Sequence, residues 1–145
     1  MGSVGYRPIL NEKRMEVILL IGLPGSGKTW TAHNVYAPKG YMVVDDPKSI
    51  HTVREVLSNA KATGAPGVVV ADPHLTSPTA LSKALEFFQG QGATVTCVWF
   101  ENDLAAAAKN IQHRADGRQI NLRAFAHGYQ VPEGVTPTKI WRSPA

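Results

Sequence analysis

The chain is poor in cysteine, has no long apolar run and carries no excess of acid. Its one cysteine, Cys97, has no partner for an internal disulfide and stands inside the apolar stretch ATVTCVWF, where it reads as a buried core thiol. This agrees with a reducing, cytoplasmic setting. No apolar run approaches the ~20 residues that cross a bilayer, so no membrane role is expected. The opening stretch MGSVGYRPILNEKR lacks the apolar centre of a secretory signal. Tyr6 stands where an N-myristoylation signal has Ser or Thr. Internal repeats and low-complexity tracts are absent, and so is the N-K-x-D motif that reads guanine. What remains is a chain of 145 residues with a net charge of +4. That length suits one domain with one core, with residues 1–14 as a flexible or extended N-terminal segment. The modest basic excess fits an anionic partner such as a nucleotide or nucleic acid.

Apolar, β-branched runs alternate with amphipathic ones. Strands are expected at residues 16–22, 41–45, 67–72, 93–100 and 138–142. The first four are continuous enough to be buried on both faces of a parallel sheet. Between them lie helical patterns. One runs from the glycine-rich stretch to about Tyr36. A second starts near Pro47 and places Ile50, Val53, Val56 and Leu57 on one face. The third has Ser77 as N-cap and Pro78 at its first position. The fourth has Asn102 as N-cap and Leu104, Ala108 and Ile111 in one stripe, and a shorter helix covers residues 118–128. Strand and helix in alternation mean an α/β fold whose ligand site lies at the carboxyl ends of the strands. Those ends are Gly22, Asp45, Asp72 and Phe100.

The stretch GLPGSGKT satisfies G-x-x-x-x-G-K-[ST], with a strand before it and a helix after it. Glycines allow the backbone amides to wrap an anion, and a helix start adds a favourable dipole. Gly22, Leu23, Pro24, Gly25, Ser26, Gly27, Lys28, Thr29 and the following Trp30 are therefore the candidate nucleotide-binding residues. Lys28 reaches the β and γ phosphates, and the Thr29 hydroxyl ligates Mg²⁺. The expected architecture is a P-loop NTPase three-layer sandwich: a mostly parallel five-stranded sheet, helices on both faces and an arginine-bearing lid. The short chain and the absent guanine motif favour an ATP-dependent kinase.

A phosphotransferase needs a carboxylate at the acceptor hydroxyl and cations on the moving phosphoryl group. Asp45, at the end of the second strand, is the expected acceptor carboxylate, and the neighbouring Asp46 is either a second substrate contact or a helix cap. Asp72, at the end of the third strand, is placed to hold Mg²⁺ through water or to contact the acceptor. Arg114 and Arg118, around Asp116-Gly117, with Arg123 beyond, suit a lid that closes over the phosphates. His74 has the location for a substrate contact. The five histidines, His33, His51, His74, His113 and His127, lack the paired spacing zinc wants, and His33 is expected at the surface. Trp99 and Trp141 fall in expected strands and read as core. Tyr129 and Arg142 fall where a final loop and strand touch adenine.

The segments ILLIGLPGSGKTW, VVDDPK, VVVADPHLTSPTALSKALEFF and KNIQHR, in that order, resemble the kinase domain of bacteriophage polynucleotide 5′-kinase and its small phage-encoded relatives. The resemblance runs from about Glu16 to Arg118. It implies transfer of the γ-phosphoryl of ATP, with Mg²⁺, to a hydroxyl of a nucleic acid, DNA above all, or of a nucleotide. A 5′ end and a hydroxymethyl group on a modified base such as 5-hydroxymethyluracil both fit. It implies Asp45 as the acceptor-activating carboxylate, Lys28 and Thr29 in the phosphate loop, Asp72 after strand three, and Arg114 in the lid. The host cytoplasm would be the setting. Two residues depart from the family pattern. Lys48 stands where the family has an arginine after the double aspartate, losing the bidentate fork, and His74 stands in place of asparagine. The chain also carries no counterpart of the phosphatase domain of the best-known member. A small-metabolite or nucleoside kinase and a non-catalytic nucleotide-binding or nucleic-acid-binding module are the competing readings.

Overall fold

The computed structural model describes residues 14–112 and 121–142. Arg114, Arg118, His113 and the N-terminal segment before Arg14 lie outside the described residues, and the arginine lid with them.

Among the described residues, four strands form one all-parallel sheet: β1 (Glu16–Ile21), β2 (Met42–Asp45), β3 (Gly67–Ala71) and β4 (Thr94–Trp99), in the order β2-β3-β1-β4. Leu19 lies opposite Val70 on one side and Cys97 on the other. β1 is followed by α1 (Lys28–Thr31), which continues as a π-helical turn, Ala32–Tyr36, and a 3-10 turn, Ala37–Lys39. The remaining helices are α2 (Ile50–Thr63), α3 (Pro78–Gly90), α4 (Leu104–Gln112) and α5 (Leu122–Ala126).

Side chains alternate across the pleat, so β1 feeds two cores. Val17, Leu19 and Ile21 pack with Val53, Leu57 and Ala60 of α2 and Phe88 of α3. Ile18 and Leu20 pack on the opposite face with Val69, Ala71, Phe100 and Ala32, and the partly buried Tyr36 and Tyr41 close that side. β1 and β3 are the strands buried through their apolar length; β2 and β4 are only partly buried. Cys97 is accordingly half-buried, with its thiol pushed above its usual pKa by burial.

The fifth strand does not form. Residues 138–142 touch β4 by a single parallel bridge, Phe100 to Thr138. Main-chain bonds run from Thr138 N to Trp99 O (2.7 Å) and from Glu101 N to Thr138 O (2.9 Å). The Glu101 carboxylate then takes the Ile140 N–H at 3.0 Å, and Trp141 N turns to Ser26 O at 3.4 Å. The segment leaves the sheet for the glycine-rich loop after β1 before a ladder can extend. Trp141 is therefore not a core residue; it is 53% exposed.

Two helix starts differ from expectation. Ser49, accepting from Thr52 N, caps α2, so Pro47 precedes the helix, and Ile50 is exposed while Val53 and Leu57 are buried. Asp103 caps α4 through the Ala106 N–H at 3.0 Å, while Asn102 donates to Tyr129 O instead. The buried line of α4 is Ala107 and Asn110. Ser77 and Pro78 begin α3 as expected.

Candidate active site

The loop after β1 is held from three sides. At Gly22 an added Cβ would meet Phe100 Cβ and Ser26 Oγ, each at 2.8 Å, so the loop folds back directly over the end of β4. At Gly25, φ is +86° and a Cβ would lie 2.6 Å from Ala107 O, so α4 sits on the loop backbone itself. Beneath them the Tyr129 hydroxyl donates to Ile21 O at 3.1 Å and to Phe100 O. Burial pushes that phenol up to about 12. Tyr129 thus ties β1 to β4 under the loop, and its expected place at adenine is overturned by this burial.

Lys28 is only 6% exposed, and its Nζ donates to Gly22 O (2.9 Å) and Leu23 O (2.8 Å). A buried ammonium is costly unless its protons find acceptors; here the loop's own carbonyls supply them. The Ser26 hydroxyl is fully buried and has no hydrogen-bond partner among the described residues.

Thr29 is exposed, and its Oγ1 donates to Asp45 Oδ1 at 3.2 Å across from β2. Asp46 turns away from Asp45, because its φ is +47° while its N–H still reaches Ala71 O at 2.7 Å. Aspartate tolerates that left-handed conformation better than most side chains. The Asp46 carboxylate lies 3.5 Å from Lys48 Nζ. One ligand atom each of Asp46, Asp72 and His74 lie within 4.8 Å of one another. Asp72 Oδ1 accepts the His74 N–H at 2.9 Å and lies 3.0 Å from His74 Nδ1. When Nδ1 donates to Asp72, Nε2 of a neutral ring is the acceptor. The two adjacent aspartates therefore serve two neighbourhoods: Asp45 joins Thr29, and Asp46 joins Asp72 and His74.

Lys28, Thr29, Trp30, Asp45, Asp46 and His74 line one cavity of about 610 Å³, together with Lys48, Asn110 and Trp141. That volume falls within the roughly 300–1,000 Å³ of small-molecule sites. Of the expected arginines only Arg123 is described, on α5.

Sequence reasoning missed two residues here. Asn110, buried in α4, donates its amide to Gly25 O at 2.8 Å and to Trp141 O. Trp141 is the other. Its neighbour Arg142 pairs with Glu101 (3.3 Å) and Asp103 (2.8 Å). Hydrogen bonding from the Ala106 N–H, then from Arg142, holds the Asp103 carboxyl below its usual pKa. An asparagine three residues past Ala107 on α4 was the available signal for the first. For Trp141 the sequence offered none, because the segment reads as a strand.

No protein-family model matches the chain, and no curated protein matches it in sequence. Among solved structures, the chain is similar to a gluconokinase from Sinorhizobium meliloti 1021, at 16% identity and a TM-score of 0.58. The match covers 91% of this chain and 86% of that one. At that identity the likeness speaks for the fold alone: an α/β parallel sheet with helices, similar to that of the gluconokinase, here with four strands among the described residues. It lends nothing to the narrower resemblance to phage polynucleotide kinases.

Proposed function

We propose that the protein is an ATP-dependent phosphotransferase acting on the hydroxyl of a small acceptor. One observation carries this reading: Lys28, Thr29, Asp45 and Asp46 line a single cavity. Beyond one carboxylate for Mg²⁺, a nucleotide-binding module without catalysis has no need of a second facing its phosphate loop. A similar fold in a gluconokinase supports the kinase assignment.

The loop amides and Lys28 hold the donor's phosphates, with Lys28 exchanging loop carbonyls for phosphate oxygens. The paired oxygens of Thr29 and Asp45 suit Mg²⁺, which prefers oxygen ligands. Bound there, the ion would neutralise charge on the phosphates. Asp45, already engaged with Thr29, is then better placed for that duty than for the acceptor. Asp46, beside Asp72 and His74, is the carboxylate for the acceptor hydroxyl. The acceptor oxygen bonds to the γ phosphorus, the bond to the β–γ bridging oxygen breaks, ADP leaves, and the hydroxyl proton passes to Asp46. Arg114 and Arg118 remain the expected cations over the transferring group.

The acceptor side supports a small molecule over a strand of nucleic acid. Asp45 and Asp46, with Asp72 beside them, share this mouth with Lys48 and His74, and the cavity's other described basic group, Lys28, is turned to the loop's own carbonyls. A polyanion entering this mouth would meet carboxylates where phosphate-binding surfaces carry Lys and Arg. The net charge of +4 is what keeps a nucleic-acid hydroxyl as the second reading.

The test is incubation with γ-labelled ATP and a panel of sugar acids, polyols, nucleosides and oligonucleotides with free 5′ ends. Label on a small hydroxyl compound is expected. Asp46→Asn should abolish transfer while leaving ATP binding intact. Failure of the unaltered protein to bind ATP, or label on oligonucleotides alone, would sink the reading.

A further inference from the structure

The carboxyl edge of the sheet has an order. Asp45 ends β2, Asp72 follows β3, the phosphate loop follows β1, and beyond it, past β4, lies the segment carrying Trp141. The acids therefore lie on one side of the loop and Trp141 on the other. A triphosphate in the loop that points its terminal phosphate at the acids must send its opposite end toward Trp141.

Trp141 is held there firmly. Its N–H donates to Ser26 O at 3.4 Å, and its carbonyl accepts from Asn110 Nδ2. A Cβ on Gly27 would stand 3.4 Å from Trp141 Cβ, so the residue lies against the last glycine before Lys28. The next residue is anchored by two carboxylates. Yet the side chain remains 53% exposed and lines the cavity. A large apolar ring on a fixed backbone, half in water, has a face to offer that no described residue is shown to cover. Lys28 and the loop cannot use it either, since they address phosphate. A planar aromatic group can.

We propose that the Trp141 indole is the platform on which the base of the nucleoside triphosphate stacks. This rests on the reading that the loop holds such a donor. Stacking uses the π-face that every base has, so the platform sets affinity for a base as such.

The experiment compares ATP with inorganic tripolyphosphate, which has the phosphates and no base, by calorimetry with the unaltered protein, Trp141→Ala and Trp141→Phe. The residue 141 backbone bonds survive in both variants, and thermal melts check that both fold. Trp141→Ala should weaken ATP by about ten-fold or more and shift tripolyphosphate by less than about two-fold. Trp141→Phe, which keeps an aromatic face, should recover most of the ATP affinity. Equal loss for both ligands would make Trp141 a mere support of the loop and overturn the proposal; so would no loss for either. If the unaltered protein binds neither ligand, the nucleotide reading itself falls and takes the platform with it. If it binds both without regard to Trp141, only the platform falls.

Discussion

Asn110→Ala tests how the glycine-rich loop is held. The Asn110 amide touches both the loop, at Gly25 O (2.8 Å), and the C-terminal segment, at Trp141 O. Removing it deletes two hydrogen bonds, each worth about 0.5–1.5 kcal/mol net, and strands a buried carbonyl at a cost of about 1–3 kcal/mol. The two overlap in part, so we expect a loss of about 3 kcal/mol. At roughly 3 °C per kcal/mol for a chain of this size, the melting temperature should fall by about 10 °C. Urea denaturation should give a lower midpoint with an unchanged slope. Asn110→Asp should be worse than the alanine variant, because a carboxylate oxygen would replace the amide donor opposite two carbonyl oxygens. Both variants should also bind ATP more weakly, since the loop is no longer clipped to α4. An alanine variant within about 0.5 kcal/mol of the parent, or an aspartate variant as stable as asparagine, would refute the reasoning.

Three further outcomes follow from the same geometry. Ser26→Ala removes a buried hydroxyl that has no partner among the described residues, so stability should hold or rise by up to about 1 kcal/mol in denaturant titration; a loss of that size would count against it. The Tyr129 phenol, pushed up to about 12 by burial, exceeds its unfolded value of ~10. The folded state then binds more protons than the unfolded one above that lower value, and stability falls as pH rises from about 10 to about 12, by on the order of 2–3 kcal/mol. Tyr129→Phe should flatten that alkaline decline, and urea midpoints across the window would reveal a decline left intact. Cys97, half-buried and with its thiol pushed up, should react with iodoacetamide well below the rate of an exposed thiol at neutral pH, and a rate equal to that of free cysteine would contradict its placement.

Much of the site was legible because its residues are contiguous or end apolar runs. GLPGSGKT carries its own geometry in three glycines, and Asp45 and Asp72 follow runs whose β-branched composition already reads as strand. The partnerships among these residues were not legible. Asp45 and Asp46 are adjacent and chemically identical, and only a left-handed φ at Asp46 sends one carboxylate to Thr29 and the other toward Asp72 and His74. Helix starts slipped by a few residues because Ser49 and Asp103 compete with nearby Pro47 and Asn102 for the same role.

By itself the sequence determined the alternation of strand and helix, the glycine-rich loop between the first strand and helix, and the acids at the strand ends. These depend on local periodicity and short-range sterics, which a linear chain expresses directly. Tertiary structure alone decided that residues 138–142 leave the sheet. The Glu101 carboxylate captures Ile140 N, and Asn110 captures Trp141 O, across 39 and 31 residues of chain. Those long-range hydrogen bonds outweigh the strand propensity of the segment and turn an expected core tryptophan into an exposed face beside the loop.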